Sequence, residues 1–129
     1  MSTVDCSAPL HPAAINGLEL FNAGEYFEAH EALESAWRDE PGPQRELYQG
    51  ILQVAVTYLH IQRGNYAGAL KVSARCLPKL AAWPDHCRGV PVAQLRRDLL
   101  NVLDALKRLG PEGIANFDQG LFKTIQYER

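Results

Sequence analysis

Two short stretches of this sequence hold residue types able to do chemistry. One is His30-Glu31-Ala32-Leu33-Glu34, and the other is the series Gln49, Gln53, Val56 and His60. On a helix, residues four apart stack on one face, so His30 and Glu34 would stand side by side, with Phe27 and Glu31 next to them. The spacing of four, three and four puts the second series on one line of its own helix. Three uses of these residues are open. They form a structural network if His30, Glu31 and Glu34 hydrogen-bond to Gln49, Gln53 and His60 across a helix pair. They form a divalent-metal site if His30, Glu34 and His60 supply two imidazoles and a carboxylate to zinc, iron or manganese, with Glu31 as catalytic general base. They form a metal-free pocket if His30 and Glu31 act on a small ligand. The run is neither the zincin His-Glu-x-x-His, nor a Glu-x-x-His pair of the ferritin kind, since Phe27 stands three residues before His30.

Those residues need elements to hold them, and the patterning supplies helices. The first apolar stripe, Ile15, Leu18, Leu20 and Phe21, follows His11-Pro12 and stops at Asn22-Ala23-Gly24. Tyr26, Ala29, Leu33, Ala36 and Trp37 mark a second helix from about Glu25 to Arg38, closed by Asp39-Glu40-Pro41-Gly42-Pro43. From about Gln44 to Arg63 the chain is apolar almost all round, which predicts the central helix. Asn65 opens a fourth, through Leu77 and Pro78. Pro91 opens a fifth, with Leu95, Leu99, Val102, Leu103 and Leu106 on its buried stripe and Gly110-Pro111 at its end. The tail keeps Ile114, Phe117, Leu121, Phe122 and Ile125 for packing back on the body. The reading is all-α, a single bundle of five or six helices over residues 11–129, after a loose lead-in over residues 1–10. Gly24-x-Tyr26-x-x-Ala29 and Gly64-x-Tyr66-x-x-Ala69 echo each other, faintly like tetratricopeptide helix pairs.

Composition narrows the function classes. The 129 residues carry 13 basic and 15 acidic side chains, a net charge of −2, so neither nucleic acid nor an anionic membrane is the expected partner. The longest apolar stretch, Ile51 to Ile61, is interrupted by Gln53, Thr57 and His60 and is too short and polar to span a bilayer. The first residues show no basic and apolar leader pattern, and the cytoplasm is the expected compartment. Three cysteines, Cys6, Cys76 and Cys87, without a Cys-x-x-Cys, predict reduced thiols. A zinc site from Cys76, His86 and Cys87 would follow no known spacing. Trp37 and Tyr48 bracket the break between the second and third helices, as core or as pocket lining.

The run Phe21-Asn22-x-Gly24-x-Tyr26-Phe27-Glu28-Ala29-His30-Glu31-x-Leu33-Glu34-x-x-Trp37 resembles the signature of the prokaryotic domain-of-unknown-function family numbered 309. The resemblance continues through Tyr48-Gln49-Gly50-x-x-Gln53-x-Ala55-Val56 and His60, then Gly64-Asn65-x-x-Gly68-Ala69, and extends toward the connector and fifth helix. It implies a small all-α bundle and no particular activity. Two functions are therefore carried forward. One is a metal-dependent or acid–base, hydrolase-like enzyme, which needs His30, Glu31, Glu34 and His60 to converge on an open cavity. The other is a non-catalytic interaction module, which needs an exposed apolar groove.

Overall fold

The computed structural model describes residues 5–128; residues 1–4, part of the expected lead-in, and Arg129 lie outside the described residues. Five helices follow in order: α1 (Pro12–Asn22), α2 (Tyr26–Asp39), α3 (Arg45–Gln62), α4 (Tyr66–Ala81) and α5 (Val92–Gly113). Two 3₁₀ turns, Ile114–Asn116 and Gln119–Leu121, carry the tail back across the bundle. Among the described residues there is no β-strand, only an isolated bridge between Cys87 and Val90. Helices α1 to α4 pack each on the next, and α5 lies against α4.

Ten of the eighteen residues of α3 are buried, including Leu47, Tyr48, Ile51, Val54 and Tyr58, so the helix with least polar surface takes the middle. The two predicted corners are built alike. Gly24 and Gly64 adopt φ of 80° and 73°, a conformation that side-chain-bearing residues seldom take. The predicted stop of α5 is a sharp backbone break at Gly110, with φ 71° and ψ 175°, before the chain resumes one more turn to Gly113. The tail docks through an aromatic cluster in which Phe122 stacks on Tyr58 at 4.4 Å and on Phe117 at 5.2 Å. Such pairs add about 0.5–1.5 kcal/mol beyond area burial. The Asn22 side chain fixes the tail's backbone, donating to the Ile125 carbonyl and accepting from its N–H.

Two expectations are corrected. Cys6 and Cys87 form a disulfide, leaving only Cys76 as a free, buried thiol among the described residues. An odd count cannot reveal a pairing across 81 residues, which only the fold brings together. Residues 5–10 are also fastened rather than loose. Besides the disulfide, the Cys6 carbonyl accepts the Arg88 N–H, and Leu10 is buried in the core.

Candidate functional site

On α2, the polar stripe satisfies itself along its own helix. His30 Nε2 lies 3.2 Å from Glu34 Oε2, and the other Glu34 oxygen accepts from Arg38. The hydrogen bond from Arg38 is the main reason the Glu34 carboxyl titrates below its ordinary range, with the Arg38 and His30 charges adding to it. Phe27 leans toward the His30 ring, 6.4 Å between centroids, and remains 44% exposed; Glu31 is exposed.

On α3, Gln49, Gln53, Val56 and His60 are half-buried, as their common line requires. His60 is used at the corner into α4. Its Nδ1 accepts from the Asn65 amide at 3.2 Å, and Asn65 Oδ1 caps α4 by accepting the Gly68 N–H at 2.9 Å. Gln53 Oε1 is sealed from solvent with no partner, as is Trp37 Nε1 on α2. Trp37 is covered instead by the Arg45 guanidinium, 4.1 Å from its ring. Tyr48 is wholly buried and its hydroxyl receives the His11 N–H at 3.0 Å and Arg88 Nη1 at 3.1 Å.

The expected cross-helix network is therefore absent among the described residues: no hydrogen bond or ion pair joins His30, Glu31 or Glu34 to Gln49, Gln53 or His60. Nor does any group of three or more His, Cys, Asp or Glu among the described residues stand where it would hold a metal ion. Neither His30, Glu34 and His60 nor Cys76, His86 and Cys87 form such a group. The physical reason is local competition. An i+4 carboxylate claims His30, and the Asn65 cap claims His60, each at far smaller sequence separation than the cross-helix partner.

The polar network that does exist was not singled out from sequence. Arg88 is 8% exposed; its Nη1 donates to Glu40 Oε2 at 3.2 Å as well as to Tyr48, and its Nε donates to the Asp5 carbonyl at 2.9 Å. Burial works against its charge, but the bonds to Tyr48 and Glu40 outweigh it and keep the guanidinium protonated. His11 adds a second tie, capping α1 through Nδ1 and reaching Asp39 at 3.1 Å through Nε2. The only sequence signals were an arginine in a Pro/Gly connector and a histidine before the α1 proline.

Cavities among the described residues lie elsewhere. An open, mostly apolar groove of about 350 Å³ runs between the α2–α3 break and the end of α4, lined by Pro43, Pro78, Ala82 and Trp83 with the Glu46–Lys79 pair at its rim. A cleft of about 450 Å³ lies between the start of α5, the connector and the tail.

Fold and surface together define a small helical-bundle domain with a self-paired polar face and no convergent metal centre among the described residues. Residues 14–72, which hold the α2 and α3 stripes, match the model of the family described as "Domain of unknown function (DUF309)". The match stops short of the connector and α5, which the resemblance had been expected to reach. A protein of Bacillus subtilis (strain 168), "Uncharacterized protein YpuF", is 38% identical over 66 residues, covering 50% of this chain and 38% of its own length. An "Uncharacterized protein" of Aquifex aeolicus (strain VF5) is 29% identical over 84 residues, covering 64% of this chain and 25% of its own. The chain thus spans well under half the length of either relative. Among the described residues, no helix is long and apolar enough to cross a membrane.

Proposed function

We propose that this domain is a non-catalytic interaction module that holds an apolar side chain of a partner polypeptide in the groove between Pro43 and Trp83. The observation that carries the reading is the groove itself: two prolines, an alanine and a tryptophan open to solvent, flanked by one positive and one negative charge. Rigid apolar walls with a charged rim fit the anchor-and-rim pattern of peptide recognition. The enzyme alternative has less support, because His30, Glu31, Glu34 and His60 do not line this groove or the 450 Å³ cleft. Nucleic acid and membrane are not the partners in this reading, consistent with the balanced charge. The compartment in this reading is the cytoplasm, and the Cys6–Cys87 disulfide is the observation that opposes it. There Cys6 and Cys87 face a reducing thiol pool. Alkylation in cells followed by mass analysis should find both blocked as thiols, and an intact bond would move the protein to an oxidising compartment.

The test of binding is a peptide selection against the 129-residue chain, followed by titration of the selected sequences into Trp37→Phe, which leaves Trp83 as sole tryptophan reporter. The expected result is peptides with one apolar anchor that shift Trp83 emission and lose binding to Trp83→Ala. Peptides that bind Trp83→Ala equally well would place the interaction elsewhere.

A further inference from the structure

The 450 Å³ cleft holds a carboxylate whose surroundings leave it half-satisfied. Asp98, on the second turn of α5, is 8% exposed and lines the cleft. Its Oδ1 accepts from Gln94 Nε2 at 2.8 Å, and Gln94 Oε1 in turn accepts from Arg97 at 3.0 Å. Gln94 therefore stands between the only nearby guanidinium bonded to this chain of contacts and the carboxylate. Among the described residues no Lys, Arg or His forms an ion pair with Asp98. Its Oδ2 takes no hydrogen bond, and it is not among the polar atoms sealed from solvent, so it opens on the cleft.

A buried carboxylate without a countercharge is costly, and a cation that enters with its own hydrogen-bond donors relieves that cost. The wall is mixed: Leu95 and Ile125, each 3% exposed, and Pro91 give it an apolar side, while His86, Thr124, Gln126 and Arg97, the last bonded to Gln94 Oε1, make up the polar remainder. Asp85 at the mouth adds a second negative charge that opposes an anion. The volume lies in the range of small-molecule sites. We propose that this cleft is a binding site for a small amphipathic amine, its ammonium on Asp98 Oδ2 and its hydrocarbon body against Leu95, Ile125 and Pro91. The α2–α3 face takes no part in it, and the site is independent of the peptide groove.

The test is a two-dimensional amide NMR titration of the full chain with hexylammonium, cyclohexylammonium and putrescine, and with hexanol as the uncharged control. Saturable shifts centred on Gln94, Leu95, Asp98 and residues 124–126 are expected with at least one amine and not with hexanol. Asp98→Asn should weaken that binding about tenfold or more, the scale of one charge-assisted hydrogen bond. Thr124→Trp, on an exposed position of the rim, should block it without touching the core. No saturable shift with any amine overturns the proposal, as does an equal response to hexanol, or wild-type affinity in Thr124→Trp. That last comparison decides the matter should Asp98→Asn fail to fold.

Discussion

Arg88 joins four parts of the chain through one guanidinium and one backbone N–H: the lead-in at Asp5 and Cys6, the end of α2 at Glu40, α3 at Tyr48 and its own connector. Its backbone sits at φ 52°, in the left-handed region, and the surrounding contacts hold it there. Replacing it with methionine strands Glu40 and Tyr48 in the interior. Arg88→Met should cost about 3 kcal/mol in urea denaturation. His30→Ala removes the intrahelical contacts to Glu34 and Phe27, both at a partly exposed face, and the same measurement should find a change within about 0.5 kcal/mol. A loss of 2 kcal/mol or more there would restore a cross-helix role for His30. The Glu34 carboxyl is depressed below its ordinary value of 4.5, so the stability it lends is present above that value and fades as pH falls through its folded pKa. Comparing wild type with Glu34→Gln from pH 6 to pH 3 should show the two curves converging at the acid end. None of the importance of Arg88 was legible in the sequence, because its side-chain partners lie 40, 48 and 83 residues away.

At the level of elements, the corner between α3 and α4 explains a motif that spacing alone could only flag. A Cβ at Gly68 would sit 2.5 Å from Asn65 Nδ2 and 2.9 Å from His60 Nδ1. Gly68→Ala should therefore dislodge the Asn65 cap and destabilise the fold by about 1–2 kcal/mol, with amide exchange rising first in the opening turn of α4. Unchanged protection of that turn would show that the cap gives way without cost. The helices themselves were legible: the dense apolar run from Leu47 to Ile61 predicted the central helix, and Gly24, Gly64 and Gly110 stand where helices break. The use of the polar stripes was not. A line of Gln49, Gln53, Val56 and His60 says which residues share a face, but a face does not say which neighbour bonds to each. His60 turned out to answer to Asn65, five residues on.

For the molecule as a whole, the disulfide is the largest departure from the sequence reading. It closes a loop of 81 residues, and in the chain-entropy account such a closure stabilises by about 4 kcal/mol. Reduction, or Cys6→Ser, should lower Tm by roughly 15 °C at this chain length, read by differential scanning calorimetry with and without reductant. An unchanged Tm would mean that packing alone holds the lead-in. Burial pushes the Cys76 thiol up to about 12, so it stays protonated and does not compete for either partner at neutral pH.

The same bond also changes the topology of the chain. From Cys6 to Cys87 the backbone and the sulfur bridge form a ring that contains α1 to α4, while α5 and the tail leave it as a single appended strand. A protease that cuts the Pro-Gly break between α2 and α3 opens the ring without releasing either part, and the halves stay tethered until a reductant reaches them. A cut at Gly110 meets no such tether, and only packing then keeps the tail in place. In the oxidised protein the tail beyond Gly110, which helps close the Asp98 cleft, is thus attached by one covalent path, and after such a cut the packing of Phe117, Phe122 and Ile125 is all that holds it.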